Sequence, residues 1–256
     1  MTATTQPAFP QAALDWLAAV STNGRPVPTP RALLLGRSAA PLGAALTRTG
    51  TDLVACDHSR AGVRTLLNRA PRAIPTVADP ERLPFAAMSF DVVHVHQALH
   101  TLPEGALASI ARVLAPHGHL AVSYTVRDDS VPWVRRLTAL LRDVDPQAMA
   151  GAYGTESIDR LRASRFFDDV EERGHRLWVP ISRVDLLGMV ARRFPDLEQD
   201  RLSRLMADVG ELYESSARVP EPLLLPYRVA CWRARVDHSE FTSQLDAPTE
   251  GLRIRL

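Results

Sequence analysis

Gly36 and Asp57 are the residues whose type and spacing most directly suggest chemistry. An apolar run, Ala32 to Leu35, stops at Gly36. A second run, Leu53 to Cys56, ends on Asp57, 21 positions after the glycine. A glycine lets backbone approach a ligand closely, and an acid about 20 residues on can accept hydrogen bonds from ribose hydroxyls. The pattern is that of a nucleotide-binding βαβ unit. The turn itself, Gly36-Arg37-Ser38-Ala39-Ala40, holds a single glycine where such turns usually hold several. Asp79 falls at a further strand end and is a second acceptor of the same kind.

His94, His96 and His100 form the other group. His94 and His96 alternate onto one face of a strand end, a clustering that metal sites use, yet no cysteine or carboxylate joins them at ligand spacing, so no metal is expected. His100 is the candidate proton acceptor, with a structural or substrate-orienting role as the other reading. His117 and His119 flank Gly118 and read as solvated. Asp128 and Asp129, followed by Ser130, read as a helix N-cap, with a substrate-facing role as the alternative. Cys56 and Cys231 sit in apolar runs and read as buried small hydrophobes rather than a disulfide. The chain contains no lysine, which removes Schiff-base chemistry and a P-loop lysine.

Alternating elements must carry these groups. Strands are predicted at Ala32–Leu35, Leu53–Cys56, Phe90–His96 and Leu120–Thr125, with helices near Pro41–Arg48, Arg60–Arg69 and Glu104–Leu114. Strands that alternate with helices argue for a doubly wound, mostly parallel α/β sheet, which binds ligands beyond its strands' carboxyl ends. Upstream, residues 1–7 are expected to be disordered, Gln11 to Val20 to form a helix, and Asn23 to Pro30 to be a loop. Downstream, Val131–Val144, Ser182–Arg193 and Glu198–Glu214 read as helices. Val170–Val179 and Leu223–Val236 read as strands, with 237–256 as a loose tail. Trp133, Tyr153, Phe166, Phe167 and Trp178 are candidates for an apolar acceptor pocket or, on the plainer reading, for core.

With 46% of its 256 residues hydrophobic, the chain can bury a full core as one large domain or a domain with a lid. Thirty basic residues balance twenty-nine acidic ones without a basic stripe, so nucleic acid is not an expected partner. No apolar run approaches the roughly 18 residues that cross a bilayer, and a cytoplasmic location is expected.

Several blocks in order resemble the class I S-adenosylmethionine-dependent methyltransferases, specifically the bacterial small-molecule type. Phe9 to Leu17 is similar to the family's entry helix. Ala78-Asp-Pro-Glu-Arg-Leu-Pro-Phe85 with Ser89-Phe-Asp-Val-Val93 resembles its "D-A-E-x-L-P-F … S-F-D-V-V" block. Gln97-Ala-Leu-His100 resembles "Q-A-x-H-W", and Ala111 to Gly118 its "R-V-L-x-P-G-G" turn. Segments 126–133 and 225–227 look like its cap and final strand, so that the likeness spans about residues 9–236.

The resemblance implies a Rossmann-like domain over 31–126 and 165–236, a helical cap over 127–164 and 182–216, and an N-terminal helix and loop over 1–30. It implies S-adenosylmethionine as cofactor, held by Gly36, Arg37, Ser38, Asp57, His58, Asp79, Pro80 and Gln97. Asp57 is expected to take two ribose hydroxyls and Asp79 the adenine amino group. Leu83, Pro84 and Phe85 lie under the adenine or in the core beneath it. The implied activity is methyl transfer to a small-molecule acceptor, with no membrane or nucleic-acid partner. Where the family carries an acid and two further glycines, this chain has Leu34, Ser38 and Ala40, and if the chain is non-catalytic, restoring those family residues is expected to raise cofactor affinity. The altered turn also keeps open a non-catalytic reading, a methyltransferase-fold subunit that binds a protein partner. A nicotinamide-dependent oxidoreductase lacks the G-x-G-x-x-G spacing and a Tyr-x-x-x-Lys pair here.

Overall fold

A computed structural model describes residues 9–146, 155–217 and 222–243 of the chain. Helix α1 (Gln11–Ala18) precedes a short antiparallel hairpin, β1 (Ser21–Thr22) and β2 (Arg25–Pro26), inside the segment expected to be a loop. The alternation follows: β3 (Arg31–Leu35), α2 (Ala40–Arg48), β4 (Asp52–Asp57), α3 (Arg60–Leu67), β5 (Ile74–Val77), β6 (Phe90–His96), α4 (Ala106–Val113) and β7 (Leu114–Arg127). Then come α5 (Pro132–Val144), α6 (Thr155–Arg162), β8 (Phe167–Ile181), α7 (Arg183–Arg193), α8 (Gln199–Ser216), β9 (Leu223–Val236) and α9 (Ser239–Ser243). Seven strands form one sheet in the order β5-β4-β3-β6-β7-β9-β8. The pairs β4–β5, β3–β4, β3–β6 and β6–β7 are parallel. The chain runs outward from β3 through β4 to β5, then returns to the other side of β3 with β6. The order therefore reverses at the β3–β6 boundary, where such sheets open a crevice.

The sequence dictates this architecture through burial on both faces. In β3 every residue after Arg31 is buried, and in β4 every residue after Asp52. Such continuous apolar runs belong to parallel strands covered by helices on both sides. Pro41 opens α2, where its missing N–H costs nothing. Ser59 caps α3 by accepting from the Gly62 N–H at 3.0 Å. Strand β5 carries no apolar alternation: Ile74, Pro75 and Val77 are exposed at the sheet's edge, and the sequence offered nothing to announce it. Likewise β7 begins six residues earlier than predicted, through a register shift opposite Phe90 and Val92.

The chain folds as two compact units. The first, within the described residues, comprises 11–123, 155–173 and 231–243, and it holds β3 to β6, the start of β7, and α1 to α4 with α6. The second comprises 9–10, 124–146, 174–217 and 222–230, and β7, β8 and β9 contribute residues to both. In the second, α5, α7 and α8 pack around Val134, Leu137, Leu186, Val190, Val209 and Tyr213. Tyr213 donates its hydroxyl to the Ile181 carbonyl at 3.1 Å, satisfying a buried polar group.

Several polar expectations are corrected. Asp128 is not a helix cap: the cap position of α5 is Val131, with no side-chain bond. Asp128 is instead buried, its Oδ1 accepting from the Ser130 hydroxyl at 2.6 Å, its Oδ2 paired with Arg176 at 3.0 Å. His119 is not solvated but buried, Nε2 bonded to the Leu17 carbonyl at 2.8 Å, while His117 is exposed as expected and pairs with Asp91 at 2.7 Å. His94 and His96 are also buried in the sheet. His96 shares a 2.9 Å bond with Ser123 Oγ, and neither ring nitrogen of His94 has a partner among the described residues.

Of the aromatic residues weighed as pocket or core, Trp133 and Phe167 are buried. Phe166 stacks on Phe241 at 5.5 Å between ring centroids. Trp178 is exposed, and Tyr153 lies outside the described residues.

Candidate functional site

The carboxyl ends of β3, β4, β5 and β6, all in the first unit, surround a cavity of about 480 Å³. That volume falls in the ordinary range for small-molecule sites. Each strand end contributes one wall: Leu35 to Ser38 after β3, Asp57 and His58 at β4, Asp79 and Pro80 after β5, and Gln97 and Ala98 with Thr101 to Pro103 after β6. Gly36, Arg37, Ser38, Asp57, His58, Asp79, Pro80 and Gln97, the residues drawn from the sequence as cofactor ligands, all line it.

The turn after β3 is organised around Asp57. Gly36 adopts φ 85° and ψ 142°, a conformation open to glycine, and donates its N–H to the Cys56 carbonyl at 2.8 Å. The next N–H, that of Arg37, donates to Asp57 Oδ2 at 2.8 Å. Asp57 Oδ1 accepts from the Ser59 N–H at 2.9 Å and from the Ser59 hydroxyl at 2.8 Å. Burial pushes this carboxyl up, but the Ser59 and Arg37 donors outweigh it and hold it below the ordinary carboxylate range. Gly62 makes room for the arrangement, since a Cβ there would overlap the carboxylate.

A carboxylate offers about four acceptor positions. Three of Asp57's are taken by its own chain, so one on Oδ2 remains for a ligand rather than the two expected for a ribose.

Ser38 and Ala40 need no glycine. Residues 37–39 form one 3-10 turn leading into α2, Ala40 is helical at φ −51°, and neither it nor Ser38 is among the positive-φ residues. The backbone penalty that would follow from left-handed side-chain-bearing residues does not arise. Leu34, where an acid was expected to help, is fully buried, its Cδ1 3.4 Å from where a Gly43 Cβ would stand. An acid there would be buried against α2 rather than presented to the cavity.

Across the crevice Gln97 takes φ 54°, left-handed for a residue with a side chain, and donates its N–H to the Ser123 carbonyl at 2.8 Å. Such a conformation costs about 1–2 kcal/mol, a local cost that clusters at functional positions. Arg160 of α6 supports the adjoining wall by donating to the carbonyls of Leu99 at 2.8 Å and Leu102 at 3.3 Å. Asp79 Oδ1 accepts from the Glu81 N–H at 2.9 Å, which leaves Oδ2 for a ligand.

Residues 35–122 match the family model of the methyltransferase domain. The matched segment runs from the end of β3 to β7 and includes every strand end around the cavity. Over these residues the chain is similar to the methyltransferase domain family.

An uncharacterised methyltransferase of Mycobacterium tuberculosis is 29% identical over 240 residues, covering 90% of each chain. A demethylmenaquinone methyltransferase of Beutenbergia cavernae is 34% identical over 140 residues, 54% of this chain and 58% of that one. In fold, a solved structure of a type II methyltransferase candidate from Anaeromyxobacter dehalogenans superimposes with a TM-score of 0.60 at 21% identity, covering 90% of this chain and 97% of that one.

The donor set fits the methyltransferase cofactor: a backbone turn without Cβ at Gly36, open acceptor positions on Asp57 and Asp79, and apolar Leu35, Ala98 and Leu102 between them. Sequence reasoning did not find Thr101, Leu102 and Pro103, which follow the Gln97–His100 block, nor the supporting Ser59 and Gly62. A cap-forming Ser59 three residues before Gly62 was a legible signal for the latter pair. His100 is exposed and is not among the lining residues. Leu83 is buried, its N–H donating to Ser109 Oγ at 3.1 Å, and Phe85 packs edge-on against Phe90 with centroids 5.0 Å apart. None of Leu83, Pro84 and Phe85 lines the cavity: Leu83 is core, Phe85 is half-buried and Pro84 is exposed.

Proposed function

We propose that the cavity at the ends of β3 to β6 binds S-adenosylmethionine and that the chain directs its methyl group to a small-molecule acceptor. When bound, that cofactor supplies an electrophilic methyl on a sulfonium. The observation that carries the reading is the convergence of Gly36, Asp57, Asp79 and Gln97, far apart in sequence, on one cavity. Asp57 holds the turn through the Arg37 N–H and offers its remaining acceptor position to a ribose hydroxyl; Asp79 offers Oδ2 to the adenine amino group. Gly36 brings backbone close to the amino-acid end. On this reading the chain's contribution is alignment of acceptor and methyl, and His100, exposed and outside the lining, is given no role in proton transfer.

The small-molecule character of the acceptor draws on the relative whose name specifies demethylmenaquinone. The alternative of a non-catalytic subunit rested on the altered turn, and Ser38 and Ala40 stand there without strain. Calorimetric titration with S-adenosylmethionine and S-adenosylhomocysteine tests the proposal. Micromolar binding of both is expected; no binding at millimolar ligand overturns it.

A further inference from the structure

Among the residues that line the cavity, Arg37 carries the one permanent positive charge. Its main chain is fixed by the 2.8 Å bond from its N–H to Asp57 Oδ2. Its side chain is exposed, and no ion pair is formed by its guanidinium among the described residues. The lining carboxylate nearest in sequence, Asp57, gives three of its about four acceptor positions to Arg37 N, Ser59 N and Ser59 Oγ. The other lining carboxylate, Asp79, follows β5, two strands away from β3 in the sheet order, or about 10 Å at the usual strand spacing. The lining therefore sets one cation at the β3 end against carboxylates at the ends of β4 and β5. The residue two before Gly36 is the fully buried Leu34, so the acid at this turn is Asp57, bonded to the Arg37 main chain and not ion-paired with its guanidinium.

We propose that Arg37 is a specificity-determining residue: it pairs with the carboxylate of the ligand's amino-acid end and makes that carboxylate a condition of tight binding. This rests on the reading of the cavity as a site for S-adenosylmethionine, a ligand with a carboxylate at one end and an amino-bearing adenine at the other. The two ends match the polarity of the cavity in one orientation. Carboxylate over Arg37 places the adenine amino group toward Asp79. A guanidinium presents a planar fork of donors to a carboxylate, and the charge-assisted bonds it forms are the stronger kind. The same cation repels the ligand's sulfonium and ammonium, so a ligand stripped of its carboxylate keeps that repulsion and loses the pairing.

Calorimetric titration of the full chain with S-adenosylmethionine and with decarboxylated S-adenosylmethionine tests this, in the native protein and in Arg37→Gln and Arg37→Lys. The native protein is expected to prefer the carboxylated ligand by roughly ten-fold or more. Arg37→Gln should shrink that preference several-fold by weakening S-adenosylmethionine and strengthening the decarboxylated ligand, and Arg37→Lys should restore part of it. The side chain is exposed and the bond to Asp57 is made by the backbone, so both variants should keep the native melting temperature. Equal binding of the two ligands by the native protein, or a preference unchanged in Arg37→Gln, overturns the role of Arg37 and leaves the cofactor reading standing. Failure of the native protein to bind either ligand defeats the cofactor reading itself.

Discussion

Strands β3 and β6 lie side by side in parallel register, and each ends on a residue with positive φ that lines the same cavity. In every other respect they differ. β3 is apolar after Arg31 and closes on Gly36, so its turn is made without conformational cost. β6 buries His94 and His96 and closes on Gln97, a residue strained by its φ of 54°. Side chains lining a cavity must be held somewhere. In the proposed site the β3 side offers the ligand backbone and a glycine, and the β6 side offers a strained residue above a strand with two buried histidines. The difference separates a wall built for close approach from one built to present a side chain.

The comparison breaks most severely at the support of the β3 turn. Gly62→Ala would drive a methyl group into the Asp57 carboxylate. We expect a loss of about 3 kcal/mol in urea unfolding, together with loss of cofactor binding, because the Arg37 N–H loses its acceptor. An unchanged unfolding midpoint would show that Asp57 does not organise this turn.

On the β6 side the effect is carried by pH. Burial, with the neighbouring charge of His119, pushes His94 down to about 3, and burial pushes His96 and His119 to about 4, from 6.5. The unfolded chain therefore binds protons that the folded chain refuses between about pH 6.5 and 4. Stability is fully present above pH 6.5 and falls as the pH drops through that window, by about 1.4 kcal/mol per pH unit for each histidine. His94→Leu removes a buried ring with no hydrogen-bond partner among the described residues. It should raise stability at pH 7 by about 1–2 kcal/mol and flatten the acid limb, measured by urea unfolding at pH 7 and 5. A destabilised variant with an unaltered slope would mean that His94 is satisfied and does not titrate.

The smallest effects sharpen the contrast between the two turns. Gln97→Gly relieves the strained φ, and net of the unfolded chain's added freedom it should gain about 0.5–1 kcal/mol while weakening cofactor binding. Ser38→Gly with Ala40→Gly should not bring the gain that the family pattern suggests, leaving affinity unchanged and costing about 0.5–1 kcal/mol, since Ala40 is helical. Urea unfolding and calorimetric titration of both variants check these outcomes.

Much of this was legible in the sequence, and the rest was hidden for identifiable reasons. The runs ending at Gly36, Asp57 and His96 are strands buried on both faces, and such runs announce themselves by continuous apolar character. Every cofactor residue named from the sequence reaches the cavity, because a parallel sheet delivers all its carboxyl ends to one side. Edge strand β5 was invisible because exposed Ile74, Pro75 and Val77 have no period to read. The burial of His119 and Asp128 was hidden because each is satisfied by a partner distant in sequence, the Leu17 carbonyl and Arg176. That Ser38 and Ala40 avoid the left-handed region was hidden for a similar reason: glycine count is a property of sequence, and the sign of φ is a property of the fold.

The crystal structure of the chain with S-adenosylhomocysteine would test the central claim most directly. The account predicts the adenosine between Asp57 and Asp79, with the amino-acid end against Gly36 and the Arg37 guanidinium. A ligand bound away from these strand ends, or lying across them with its adenine over Arg37, would contradict it.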